Sequence, residues 1–219
     1  MSDPQTAAPP LAITPSERVL LFGDRFSKPA GMLGYGEVVL SSGNKVDAEG
    51  LATSLMAAAF LANEQAGAIR LELRPGKAMF GLMKTEHLHA VPGQRQVGWP
   101  EGSLERVISI SVQNAPKVDD LVSGILQQRS QSPAQTICSR VKAGLAARGV
   151  LAAEEKKTLK IFTSVTYSLP DHARRAAEQG GTAHVEQMLN ATQHQRPQIW
   201  AQLTRNIKSA ITAMTESSD

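Results

Sequence analysis

Residues 51–65 read Leu51-Ala-Thr-Ser-Leu55-Met56-Ala-Ala-Ala-Phe60-Leu-Ala62-Asn-Glu-Gln65, and this stretch decides the fold. Leu51, Leu55, Ala58, Ala59 and Ala62 fall on one face at helical spacing, and Met56 and Phe60 widen that face. Alanine is the strongest helix former. Gly67 is well placed to stop the helix. A helix this apolar predicts burial.

Downstream the period changes. Ile69, Leu71 and Leu73 alternate with Arg70, Glu72 and Arg74, the pattern of a half-buried strand. Pro75-Gly76-Lys77 signals a turn. Residues 78–91 return as one or two strands and end at Val91-Pro92-Gly93. A small hairpin is thus expected inside a helical protein. Ser103 opens the next helix, with Leu104, Val107, Ile108 and Val112 on one face and a stop at Asn114-Ala115-Pro116. Val118, Leu121, Val122, Ile125 and Leu126 mark another. Ser132-Pro133 is an N-cap and first-turn pair for a helix bearing Ile137, Val141 and Leu145 and stopped by Gly149.

After Gly149 come Leu151, the charged run Glu154-Glu155-Lys156-Lys157, and the alternation Leu159, Ile161, Thr163, Val165, Tyr167, Leu169. This predicts a β-hairpin closed by Pro170-Asp171. Residues 171–216 are weakly helical, interrupted at Gly180-Gly181 and restarted at Pro197. Ile199, Leu203, Ile207 and Ile211, with Trp200 beside them, form an amphipathic stripe that docks on the domain.

Upstream, residues 1–14 are rich in Pro, Ala and Thr and predict a disordered tail. Val19-Leu20-Leu21-Phe22 suits a short helix or a strand. Residues 24–50 predict a long loop with an apolar patch at Val38 to Leu40. The cluster Gly31-Met-Leu-Gly34-Tyr35-Gly36 lacks the spacing, and the following Lys-Ser/Thr, of a phosphate-cradling loop.

The 219 residues suit one domain, and 42% apolar content supplies a core that 4% aromatic content leaves mainly aliphatic. The net charge of +3 leans weakly toward anionic partners and serves solubility equally well. One cysteine, Cys138, excludes an intrachain disulfide and suits a reducing compartment. Cys138 lies in the apolar phase of its helix and is expected to be buried. Met1 to Pro10 lacks the pattern of a signal peptide, and no stretch approaches the roughly 20 apolar residues of a membrane span. The expected location is therefore cytoplasmic, with any membrane contact peripheral on the cytoplasmic face. His87 and His89 share a strand face, but two ligands do not make a metal site. No catalytic constellation and no cofactor signature is recognisable.

One longer pattern remains. Arg140-Val-Lys142-Ala-Gly-Leu-Ala-Ala-Arg148-Gly149-Val-Leu151 precedes Glu154-Glu155-Lys156, then Lys160-Ile161-Phe162-Thr163, then Thr166-Tyr167-Ser168-Leu169-Pro170. It resembles the helix, Gly-Val-Leu and hairpin segment of the Golgi phosphoprotein 3-like family. Arg18-Val-Leu-Leu-Phe22 resembles that family's first leucine-rich element, and Gly67-Ala-Ile-Arg-Leu-Glu72 its first strand. The resemblance covers about residues 17–170. It implies a mainly α fold, a helical bundle with surrounding amphipathic helices and protruding β-hairpins. Residues 15–170 would form this domain, and residues 171–219 a divergent C-terminal helical extension of it.

The resemblance also implies function. The family binds phosphatidylinositol 4-phosphate, attaches peripherally to membranes and acts as an adaptor without enzymatic activity. Where the family holds phosphate with two arginines one helical turn apart, this chain has Gln135 and Cys138. The candidate lipid-binding residues are Arg140, which matches another family arginine, Lys142, and Tyr35, the aromatic nearest the family's pocket tryptophan. The hairpin residues Lys156, Lys157, Leu159, Ile161 and Phe162 are the candidates for membrane contact or self-association. The implied partners are an anionic lipid, a second copy of the chain and a protein client.

Two other readings stand beside this one. A helix followed by a basic-tipped hairpin also describes a DNA-binding winged helix, with Lys142, Arg148, Lys156, Lys157 and Lys160 meeting phosphates. The helix carries no dense basic face, so nucleic acid is the weaker partner. The third reading is an assembly scaffold whose hairpin joins subunits without touching lipid.

Overall fold

Helices dominate, and the strands form three separate two-stranded antiparallel sheets among the described residues. The computed structural model describes residues 12–31, 36–78, 83–114, 116–126, 132–158 and 162–216.

The first helix, α1, spans Pro15–Leu21. Ile13 and Thr14 before it, at the end of the expected tail, are buried. Their burial follows from the cap, since the Thr14 N–H donates to the Glu17 carboxylate at 2.8 Å. A single 3₁₀ turn covers Gly23–Arg25. The expected long loop over residues 24–50 contains a small sheet: β1, Glu37–Val39, pairs with β2, Lys45–Asp47. Val38 opposes Val46, and both are buried. Strands this short show no readable alternation in sequence.

Asp47 then caps α2, Ala48–Gln65, by accepting from the Gly50 N–H at 2.7 Å. This helix is buried from Leu51 to Asn63 except at Ser54. Helices α1, α3 (Leu104–Ser111), α5 (Pro133–Ala147), α7 (Ala183–Gln195) and α8 (Pro197–Glu216) all pack against it. Between α2 and α3, β3 (Ile69–Ala78) pairs with β4 (Met83–Pro92). Leu71 opposes Ala90 and Leu73 opposes Leu88, so the inward residues are the ones that alternation marks.

Helix α4, Val118–Leu126, and α5 follow, and the chain leaves α5 through Gly149, where φ is +73°. A residue with a Cβ is disfavoured in that left-handed conformation. The strands β5, Ala152–Thr158, and β6, Phe162–Ser168, pair with each other and with no other strand among the described residues. Helix α6, Asp171–Gly180, then leads to α7 and α8. The weakly patterned C-terminal segment contributes to the core, with Ala173, Ala177, Val185, Leu203 and Ile207 buried. Helix α8 packs on α2, α4 and α5. No helix among the described residues is long and apolar enough to cross a membrane.

One contact sets the depth of α5. A Cβ at Gly144 would lie 2.4 Å from the Gly102 carbonyl oxygen, so α5 reaches this loop only because residue 144 is glycine. Glycine to alanine inside a helix normally gains about 0.5–1 kcal/mol, whereas overpacking costs about 1–3 kcal/mol. Gly144→Ala is therefore expected to lower stability by about 1–2 kcal/mol in urea unfolding. Gly124→Ala in α4, where nothing lies within 4 Å of the added Cβ, is expected to raise it by up to about 1 kcal/mol.

Candidate functional site

The segment that sequence marks for function runs along α5 into β5 and β6. The Ser132 hydroxyl caps α5 by accepting from the Gln135 N–H at 3.3 Å. Ile137, Cys138, Val141 and Leu145 form its buried stripe. The polar residues between them are placed on the flanks of that stripe. On one flank the Gln135 amide donates to the Glu37 carbonyl at 3.4 Å, and the Lys142 ammonium donates to the Val39 carbonyl at 3.0 Å. Both bonds tie α5 to β1. On the other flank Arg140 donates to the Ile125 carbonyl at 3.1 Å. It stands at the C-terminal end of α4, where a cation meets the negative end of the helix dipole.

Arg140 and Lys142 therefore do not converge on one ligand. Tyr35, Leu159 and Ile161 lie outside the described residues. Lys142 lines a small cleft with Val39, Leu40, Leu151 and Tyr167 that encloses about 20 Å³. That volume holds about one water and no lipid headgroup. Gln135 is neutral and bonded to β1, and Cys138 is buried. Burial pushes the Cys138 thiol up to about 12, which keeps it protonated and unreactive.

The β5–β6 pair starts beside this cleft. Tyr167 opposes Ala153 and Val165 opposes Glu155, so Tyr167 and Val165 share one face. Tyr167 is half-buried against the core, and Val165 is 44% exposed. Lys156 opposes Ser164, Lys157 opposes Thr163, and Phe162 opposes Thr158 in the ladder. Of the basic residues that a winged helix would turn to phosphate, Lys142 is bound to Val39. Arg148 is bound to Glu17, to the Gly144 carbonyl at 3.2 Å and to the Ala12 carbonyl at 2.7 Å. Helix α5 packs against α1, α2, α4 and α8.

A second polar cluster lies where α1, α3 and α5 meet. Glu17 and Glu105 are both fully buried. Glu17 accepts from the Thr14 N–H and pairs with the Arg148 guanidinium. Glu105 accepts from the Ser16 N–H at 2.8 Å and the Ser16 hydroxyl at 2.9 Å. Asn63 of α2 joins this cluster, donating to the Ala59 and Glu105 carbonyls at 2.9 Å each and accepting from the Trp99 indole at 2.8 Å. Thr14-Pro-Ser-Glu17 is a capping-box pattern, so the Glu17 half was readable in sequence. Glu105 was not, because its partner Ser16 stands 89 residues away.

His87 and His89 lie on β4 opposite Arg74 and Glu72. Among the described residues no three His, Cys, Asp or Glu side chains gather as a metal site. Burial holds the His89 imidazole below its usual range, and the charges of Arg74, Lys117 and His87 add to that effect.

Burial pushes the Glu17 carboxyl up to about 7, against the Thr14 hydrogen bond and the Arg148 charge, and the charge of Glu105 pushes the same way. Burial also raises Glu105. A raised carboxyl makes the folded state the stronger proton binder between about pH 4.5 and 7. The stability it supplies is complete below that window and is lost as pH rises through it. The loss is at most about 1.4 kcal/mol per pH unit for each group. Urea unfolding at pH 5, 6, 7 and 8 is expected to show falling stability. Glu17→Gln is expected to flatten that slope; an unchanged slope would place the proton uptake elsewhere.

No protein-family model matches this chain, and no curated protein and no solved structure matches it.

Proposed function

We propose that this protein is a non-enzymatic adaptor of the Golgi phosphoprotein 3-like kind that attaches peripherally to anionic membranes. The fold behind this reading is a helical bundle around α2 from which the β5–β6 hairpin protrudes. One observation supports it most. Three large apolar side chains are strongly exposed among the described residues, and two of them stand near Tyr167: Val39 lines the cleft with Tyr167 and Lys142, and Val165 shares the Tyr167 face of the hairpin. Single exposed apolar residues mean little, but one beside Lys142 and one on the Tyr167 face of a hairpin carrying Lys156 and Lys157 suit an interfacial contact.

Anionic lipid in general fits this surface better than one phosphoinositide. Gln135 and Cys138 replace the family's phosphate ligands, and the cleft beside Lys142 is too small for a headgroup. The assembly reading has its own support, since both outer edges of the β5–β6 pair lack a strand partner among the described residues. An open edge can pair with the same edge of a second copy.

Vesicle co-sedimentation tests the proposal. The protein is expected to bind phosphatidylcholine vesicles containing phosphatidylserine and not phosphatidylcholine alone. Binding is expected to fall as salt rises from about 0.05 to 0.5 M. Replacing Lys156 and Lys157 by Gln is expected to cost about 1 kcal/mol per lysine. Val165→Asp is expected to abolish binding. Arg140→Ala, which removes the bond to Ile125, is expected to lower stability and leave vesicle binding intact. Equal binding to neutral and anionic vesicles, or none to either, would end the lipid reading. Mass in solution that drops with Val165→Asp, without vesicle binding, would favour the scaffold.

A further inference from the structure

The chain from β4 to α3 reads Pro92-Gly-Gln-Arg95-Gln-Val-Gly-Trp99-Pro100 and crosses the turn that follows α2. It is pinned at both ends. The Gly93 N–H donates to the Ala68 carbonyl at 2.8 Å, and the Arg95 N–H donates to the Gly67 carbonyl at 3.0 Å. A Cβ on residue 93 would stand 2.1 Å from the Gly67 oxygen, so this approach requires glycine. At the other end the Trp99 indole is bonded to Asn63, which α2 and α3 hold in place.

Between this strap and the outward face of α3 lies an open cleft of about 530 Å³. That volume is in the range of small-molecule sites. Arg95, Trp99, Arg106, Ile110 and Gln113 line it, and none of its lining residues is acidic. Ile110 is 60% exposed, the most exposed large apolar residue among those described. Spacing explains the lining, because Arg106, Ser109 and Ile110 form one stripe of α3 and Gln113 follows in the turn beyond it.

The two arginines differ from most others in the chain. Arg25, Arg70, Arg74, Arg148 and Arg196 are paired with carboxylates. Arg18, Arg140 and Arg175 donate to carbonyls. The guanidinium groups of Arg95 and Arg106 have no such partner among the described residues, and both residues are exposed. Two uncommitted guanidinium groups in one cleft without a carboxylate match a doubly charged anion. A fixed indole and an exposed isoleucine beside them match an apolar or aromatic body.

We propose that this cleft binds a phosphate monoester with an aromatic body, Arg95 and Arg106 holding the phosphate while Trp99 and Ile110 meet the ring. The site is separate from the surface formed by Val39, Tyr167 and Val165, so its test does not depend on membrane binding.

The chain has two tryptophans, so Trp200→Phe leaves Trp99 as the sole indole reporter. Phenyl phosphate is expected to change Trp99 fluorescence saturably, with half-saturation at or below about 1 mM. Phenol is expected to give no saturable change. Arg95→Gln and Arg106→Gln, in that background, are each expected to weaken binding about tenfold or more. Urea midpoints of these exposed variants should match the parent. Competition then separates two sources of the anion: displacement by phosphatidic acid vesicles alone points to a lipid headgroup, and displacement by inorganic phosphate points to a soluble ester. Absence of saturation up to about 10 mM, or equal binding by both arginine variants, would overturn the site.

Discussion

Helix α2 has almost no face to give to solvent, and the rest of the molecule is organised by that constraint. Leu51, Leu55, Met56 and Phe60 are wholly covered, and Ala57, Ala58 and Ala59 are covered on the remaining sides. Covering one large apolar side chain is worth about 1.5–3 kcal/mol. A helix that is apolar all round can collect this only if neighbours surround it, and α1, α3, α5, α7 and α8 do so. The alanines matter as much as the large residues, because short side chains let neighbouring backbones approach. The same economy of space recurs where α5 meets the loop at Gly102, with glycine on both sides of the contact.

Apolar covering does not set the register of one helix on another, and here a buried polar cluster performs that task. Glu17, Glu105, Ser16, Asn63 and Arg148 satisfy one another across α1, α2, α3 and α5. Moving two carboxylates out of water is costly, and the carboxyl groups respond by holding protons more tightly. What the cluster returns is geometry: each hydrogen bond is satisfied in one arrangement of the helices. Trp99 belongs to that arrangement through Asn63, which links the strap over α3 to the core.

Two surfaces among those outside these constraints differ in chemistry. One joins exposed valines, Tyr167 and a lysine beside an antiparallel pair of strands. The other is a cleft with two uncommitted arginines and an indole. The first has area without depth and suits an extended surface. The second has depth and a concentration of one charge, which suits a small anion.

Much of the secondary structure was legible in the chain itself. Alternation from Ile69 to Leu73 and from Thr163 to Tyr167 marked strands, and Ser103, Ser132 and Gly149 marked helix ends. These signals are local, since a period or a cap acts within one turn or one strand. The small β1–β2 sheet was hidden, because three-residue strands carry no period. Arg140 and Lys142 looked alike as basic residues on one helix, yet one meets α4 and the other β1. The bond between Ser16 and Glu105 spans 89 residues. Sequence by itself determined most of the helices and the two longer strand pairs, and that the apolar face of Leu51 to Ala62 is buried. Only the tertiary structure decided which charges are held inside and which stay free, because a long-range partner leaves no period in the chain.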